Sequence, residues 1–201
     1  MDQARHDDIA AKNLRRDIDA CEICAQFLPN PPRPLAVFSH VAGIVITGQA
    51  PGRLAQESGI PWDDPSGRRL RDWMGIDEVT FYDPTKIAVV PMGFCFPGTG
   101  SSGDLPPRRE CAPRWHGPID EVLPENHLRL LVGNYAQSAY LPKQAGRKLE
   151  ERIRWSFDQD SDQIALPHPS WRVAGWMKRN PWYESEVLPW LRRRIDAALT
   201  K

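Results

Sequence analysis

The sequence predicts an α/β fold: a four-stranded, mostly parallel sheet flanked by helices, in one domain over residues 1–201. Three observations predict it. Four short apolar runs rich in valine, isoleucine and leucine, at 41–47, 86–90, 128–132 and 163–166, have the length and continuity of strands buried on both faces. Helical periodicity fills the intervals between them, as parallel crossovers require. Three of the four runs end in loops of unusual composition, at 48–62, 91–113 and 167–172, and open parallel sheets bind ligands beyond the C-terminal ends of their strands.

Taken in order, residues 7–20 place Ile9, Ala10, Leu14 and Ile18 near helical spacing and predict an amphipathic helix. Cys21-Glu-Ile-Cys24 follows, then a proline-rich connector at 29–34 that cannot be helix interior. The first strand, 41–47, stops at Gly48. A helix is expected over 66–74, with Pro65-Ser66 as its start. The second strand, 86–90, leads into a long glycine- and proline-studded loop at 91–113. A short helix at 118–123, the strand at 128–132, and helices at 134–141 and 149–157 come next. The last strand, 163–166, ends at Pro167. A closing helix is predicted over 182–199, and Arg192, Arg193 and Arg194 near its end suit the helix dipole.

The composition excludes several classes of function. A 41% hydrophobic and 26% charged chain can bury a core and is not disordered. The 26 lysines and arginines are balanced by 26 aspartates and glutamates, so nucleic-acid affinity must come from a local patch. Residues 168–201 supply one, with seven basic residues against three acidic. The longest apolar stretches, 42–47 and 128–132, fall far short of a membrane span, and residues 1–8 are charged where a signal peptide would be apolar. The expectation is a monomeric cytoplasmic protein without membrane contact. Twenty prolines imply long ordered loops, and eight tryptophans provide either core or stacking platforms.

Chemistry concentrates in three places. The first is the set Cys21, Cys24, Cys95 and Cys111. Two residues separate the first pair, a spacing that lets neighbouring thiolates grip one metal centre, and the second pair spans a loop too poor in apolar residues to order itself. In a cytosolic chain such thiolates suit zinc or an iron–sulfur cluster better than disulfides; four unrelated buried thiols is the plainer reading. The second is Gly48-Gln-Ala-Pro-Gly52, whose glycines let backbone approach a ligand, followed by Gly59-Ile-Pro-Trp62, where Trp62 is either core or a wall for a planar base. The third is Pro167-His168-Pro169-Ser170-Trp171-Arg172. Two prolines frame one imidazole, and the Trp-Arg pair offers an apolar wedge and a cation.

In this order the motifs resemble the uracil-DNA glycosylase superfamily, and within it the iron–sulfur branch often called family four, over roughly residues 21–172. The resemblance implies a uracil-DNA glycosylase-like sheet of four parallel strands and a [4Fe–4S] cluster on Cys21, Cys24, Cys95 and Cys111, with zinc as the alternative. It implies hydrolysis of the N-glycosidic bond of uracil or a related deaminated base in DNA, in base excision repair. The base is flipped from the duplex and stacked, and the departing anion is stabilised by a donor. His168 would be that donor, a contact worth about 3–4 kcal/mol by analogy with oxyanion holes. Gln49 sits in the catalytic loop, and Gly48, Ala50 and Trp62 would hold the base, Trp62 in place of the family's phenylalanine. Ser170, Trp171 and Arg172 would contact DNA. Two departures stand out. The family usually carries glutamate where this chain has Gln49, which cannot be a general base. It usually reads uracil with an asparagine after the second strand, where this chain has Val90-Pro91-Met92; Asn134 is the substitute amide. Glu57, Asp63 and Asp64 are the candidate water-positioning carboxylates. The rival expectations are a non-catalytic iron–sulfur nucleic-acid-binding protein of the same fold, and a zinc-stapled protein acting on a free nucleotide.

Overall fold

A computed structural model describes residues 2–101 and 103–200. Four strands, β1 (Ile44–Thr47), β2 (Ile87–Val89), β5 (Leu128–Val132) and β6 (Gln163–Leu166), form one sheet in the order β2-β1-β5-β6, all parallel. Two of these strands have the predicted bounds; β1 and β2 are shorter. Val41 is exposed, and Val37 instead bridges antiparallel to Val89 beyond the edge of β2.

The sheet is covered on both faces, which is why its strands read as unbroken apolar runs. Ile44 and Ile46 point into a core shared with α3 (Pro65–Met74), α7 (Leu149–Asp158) and α9 (Leu188–Leu199), through Leu70, Trp73, Met74, Ile153, Leu191 and Ile195. Val45 and Ala88 point to the other face, against Ile18 of α1 (Asp2–Asp19) and Trp115 and Ile119 of α5 (Cys111–Val122). Short helices α2 (Arg53–Ser58), α4 (Glu78–Phe81) and α6 (Asn134–Tyr140) complete the crossovers. A two-residue hairpin, β3 (Thr99–Gly100) with β4 (Gly103–Asp104), projects from the long loop after β2. Among the described residues, no helix is long and apolar enough to cross a membrane.

One polar network interrupts the second face. Arg129 of β5 is only 3% exposed, yet its guanidinium donates to Thr47 Oγ1 (3.1 Å), Tyr140 Oη (3.0 Å) and Asp120. Tyr140 Oη lies 2.7 Å from His116 Nδ1, and His116 Nε2 lies 3.0 Å from the Pro91 carbonyl. The carbonyl can only accept, so Nε2 carries the proton and Nδ1 accepts from the tyrosine. Burial holds His116 below the usual imidazole range, in keeping with that neutral tautomer. The network therefore ties the ends of β1 and β2 together just below their C-terminal loops.

Three differences from the sequence expectations have local causes. The helix expected at 118–123 begins at Cys111: Pro113 lies in its first turn, where no N–H is needed, and Pro118 is tolerated inside it. The closing helix expected over 182–199 is preceded by a separate helix, α8 (Val173–Arg179), and opens with a π-helical turn at Tyr183–Val187. That wider turn delivers the chain to α9 with Pro189 in its first turn, where a proline fits. The first helix starts at Asp2, five residues before the start its periodicity predicts.

Candidate functional site

The loops after β1, β2 and β6 converge on one cleft of about 510 Å³ at the C-terminal edge of the sheet. Gly48, Gln49, Ala50, Trp62, His168, Ser170, Trp171 and Arg172 all line it. Of the site residues read from the sequence, Asn134 is not brought there. It is exposed at the start of α6, and its Oδ1 accepts from Arg152 Nη1 at 2.9 Å, so the side chain serves the α6–α7 contact.

His168 follows β6 and is exposed to the cleft. Desolvation by the surrounding loops lowers its pKa, and the carboxylates of Asp64 and Asp104 oppose the shift. A neutral imidazole results, able to donate one N–H without carrying charge. Its loop is held from a distance in sequence: Arg69 Nη1, on α3, donates to the carbonyls of Pro169 (2.9 Å) and Ser170 (2.7 Å). No local pattern announces that clamp.

Trp62 sits 5.9 Å from the His168 ring, tilted by 35°. Its backbone is left-handed (φ 60°), a conformation costly for a bulky residue and found where surrounding structure enforces it. Asp64 caps α3 by accepting from Gly67 N at 2.7 Å, and Pro65 fills the first helical position. The turn so formed puts the Trp62 carbonyl where a side chain at residue 67 would lie: a Cβ on Gly67 would stand 1.8 Å from that oxygen. The indole then lies on Gly48, whose Cβ would meet Trp62 Cζ2 at 3.0 Å. The glycine that ends β1 thus makes room for the aromatic wall.

The Gly48–Gly52 turn is fastened to the loop after β2 by Met92 N to Gly48 O (2.9 Å) and Gly93 N to Gln49 O (3.0 Å). Gln49 Nε2 donates to the Leu105 carbonyl (2.9 Å), joining the turn to the hairpin. Of the three acidic candidates only Asp64 lines the cleft. Asp63 is exposed outside it, and Glu57 is an exposed partner of Arg53 at 2.7 Å. The sequence reading missed Asp104, which lines the cleft from β4. It stands in a segment without periodicity, where only the folded hairpin gives it direction. At the rim, Trp171 is 77% exposed and carries the Arg172 guanidinium 5.4 Å from its ring centroid.

The four cysteines surround a second, narrow pocket with apolar walls including Leu28, Pro34, Phe94 and Trp115. All four are free thiols. Burial pushes Cys95 up to about 11 and Cys111 up to about 12, and their charges oppose those of the other thiols nearby. Cys24 is also raised, by burial and then by Glu110. A set of thiols that disfavours its own ionisation in this way is what a multivalent cation reverses. Phe94 N lies 3.4 Å from Cys111 Sγ, a donor suited to a sulfur carrying charge. Four free thiols lining one pocket are chemically suited to thiolate ligation, although their arrangement is not that of a closed metal site. Among the described residues no group of three or more His, Cys, Asp or Glu is arranged to hold a metal ion.

The profile of one family, described as the uracil DNA glycosylase superfamily, matches residues 36–192, well over half of the chain. The match takes in every cleft loop and the Cys95–Cys111 segment, and begins beyond Cys21 and Cys24.

Proposed function

Because the chain belongs to the uracil DNA glycosylase superfamily, we propose that it hydrolyses the N-glycosidic bond of uracil or a related deaminated base in DNA. The observation that carries this reading is the convergence of the His168 imidazole, the Trp62 indole and the Gly48–Gly52 turn on one cleft. A flipped base stacks on Trp62, which supplies about 1–3 kcal/mol in comparable stacking contacts. The turn places backbone beside the base edge. As the glycosidic bond breaks, negative charge grows on the base, and neutral His168 donates a hydrogen bond to it. Ser170 contacts a phosphate, and exposed Trp171 with Arg172 enters the space that the nucleotide vacates.

In the second pocket Cys21, Cys24, Cys95 and Cys111 would hold a [4Fe–4S] cluster, whose contribution is to staple the long loop. The protein works as a monomer in the cytoplasm. A panel of duplex and single-stranded oligonucleotides carrying uracil, hypoxanthine or xanthine tests the reading through alkali-labile abasic sites. Strand scission at one or more of these bases is expected. Salt-dependent DNA binding without product would select instead a non-catalytic binding protein on this fold, the reading that Gln49 favours.

A further inference from the structure

We propose that Asp104, at the end of β4 opposite Thr99, is the carboxylate that orients and deprotonates the attacking water. The inference rests on the glycosylase reading and assigns the one role that reading leaves vacant. Gln49 cannot accept a proton at neutral pH, and its amide is committed to Leu105. Asp64 reaches the cleft but spends Oδ1 on the N-terminus of α3. Glu57 and Asp63 lie outside.

Asp104 caps no helix; its carboxylate takes a side-chain hydrogen bond from Thr99, its partner across the hairpin. Its Oδ2 and that of Asp64 approach Gly52 together, 3.4 and 3.8 Å from where a Cβ there would stand, so both carboxylates face the turn that backs the base. Asp104 and His168 line the same cleft and interact electrostatically across it, with Asp64 and Arg53 as the other charged neighbours of Asp104. Desolvation, seconded by Asp64, raises the Asp104 pKa against the pull of His168, which brings it toward the range of a working base. The carboxylate is aimed by its hairpin: Thr99 pairs with Asp104 across the strands, Leu105 N donates to Gly98 O at 2.8 Å, and Gln49 holds the Leu105 carbonyl.

The step balances within the cleft. A water oxygen forms the bond to the anomeric carbon as the carbon–nitrogen bond breaks. The bonding pair leaves with the base, held by the His168 N–H. The water proton passes to Asp104, which returns it to the released base or to solvent.

The test measures single-turnover cleavage, DNA affinity and the titration of His168 by NMR, on the full chain. Asp104→Asn is expected to cut the rate at least ~100-fold, with duplex Kd unchanged within about twofold and the acid limb of the pH–rate profile lost. Asp104→Glu should restore part of the rate, and Asp63→Asn should leave it unchanged. Removing the Asp104 charge should also lower the His168 pKa. An Asp104→Asn rate within about threefold of wild type, or an unmoved His168 titration, overturns the assignment while leaving the glycosylase reading intact. A wild-type chain that cleaves no base on the panel overturns both.

Discussion

The cleft and the thiol pocket lie at opposite ends of one segment and are built on opposite principles. The cleft is wide, and its polar groups face open space: His168, Asp64, Asp104, Ser170. The thiol pocket is narrow and apolar, and all four cysteines line it. The loop after β2 serves both. Cys95 and Cys111 bracket it on the thiol side, and Asp104 between them lines the cleft. Loops around the cleft are held by separate hydrogen bonds, such as Arg69 to Pro169 and Gln49 to Leu105. Those can be lost one at a time. A centre held by all four thiols, as proposed, would act as a unit, and losing one member should then undo the anchorage of the hairpin as a whole.

The largest effect should follow from breaking that unit. Cys111→Ser is expected to abolish bound metal and lower the midpoint of thermal unfolding by roughly 10 °C, in line with the folding energy that thiolate centres supply. Iron and zinc analysis with calorimetry checks it. A variant that melts with the wild type would mean the pocket is merely four buried thiols. In the cleft, His168→Ala should slow cleavage by about 100-fold, the worth of one donor to a developing anion, and single-turnover kinetics would show it. Trp62→Ala should cost about tenfold while Trp62→Phe costs little, because stacking needs a flat ring and no indole N–H. Equal losses in the two variants would instead point to the strained turn at residue 62.

The smallest effect is on stability as pH falls. Burial lowers the pKa of His116, His127 and His168. A group whose folded pKa lies below its unfolded value stabilises the fold above the ordinary imidazole range and loses that contribution as the folded form is forced to protonate. Thermal melts should therefore fall as the pH drops below about 6.5, the ordinary imidazole value. His116→Gln should flatten part of that slope, since the glutamine amide does not titrate.

The sequence disclosed what repeats or stands out locally. Four apolar runs marked the sheet, and Cys21-Glu-Ile-Cys24 and Pro167-His168-Pro169 marked the segments that reach the two pockets. Features created by contacts distant in the chain were hidden. Arg69 meets Pro169 across 100 positions, and Asp104 gains its direction only from the hairpin. Proline density hid the start of α5, because Pro113 in a first turn looks like a loop residue until the helix is seen. Asn134 was misread for the converse reason. It follows a strand as a site residue would, but the first turn of α6 directs its amide to Arg152.

The central claim is that a flipped base sits between Trp62 and His168. The most direct measurement is a crystal structure of the protein with duplex DNA carrying a 2′-fluoro-deoxyuridine that resists cleavage. An extrahelical uracil stacked on the indole is expected, with the imidazole at its carbonyl edge and Trp171 in the vacated gap. DNA bound on another face, with the cleft holding only water, would contradict it.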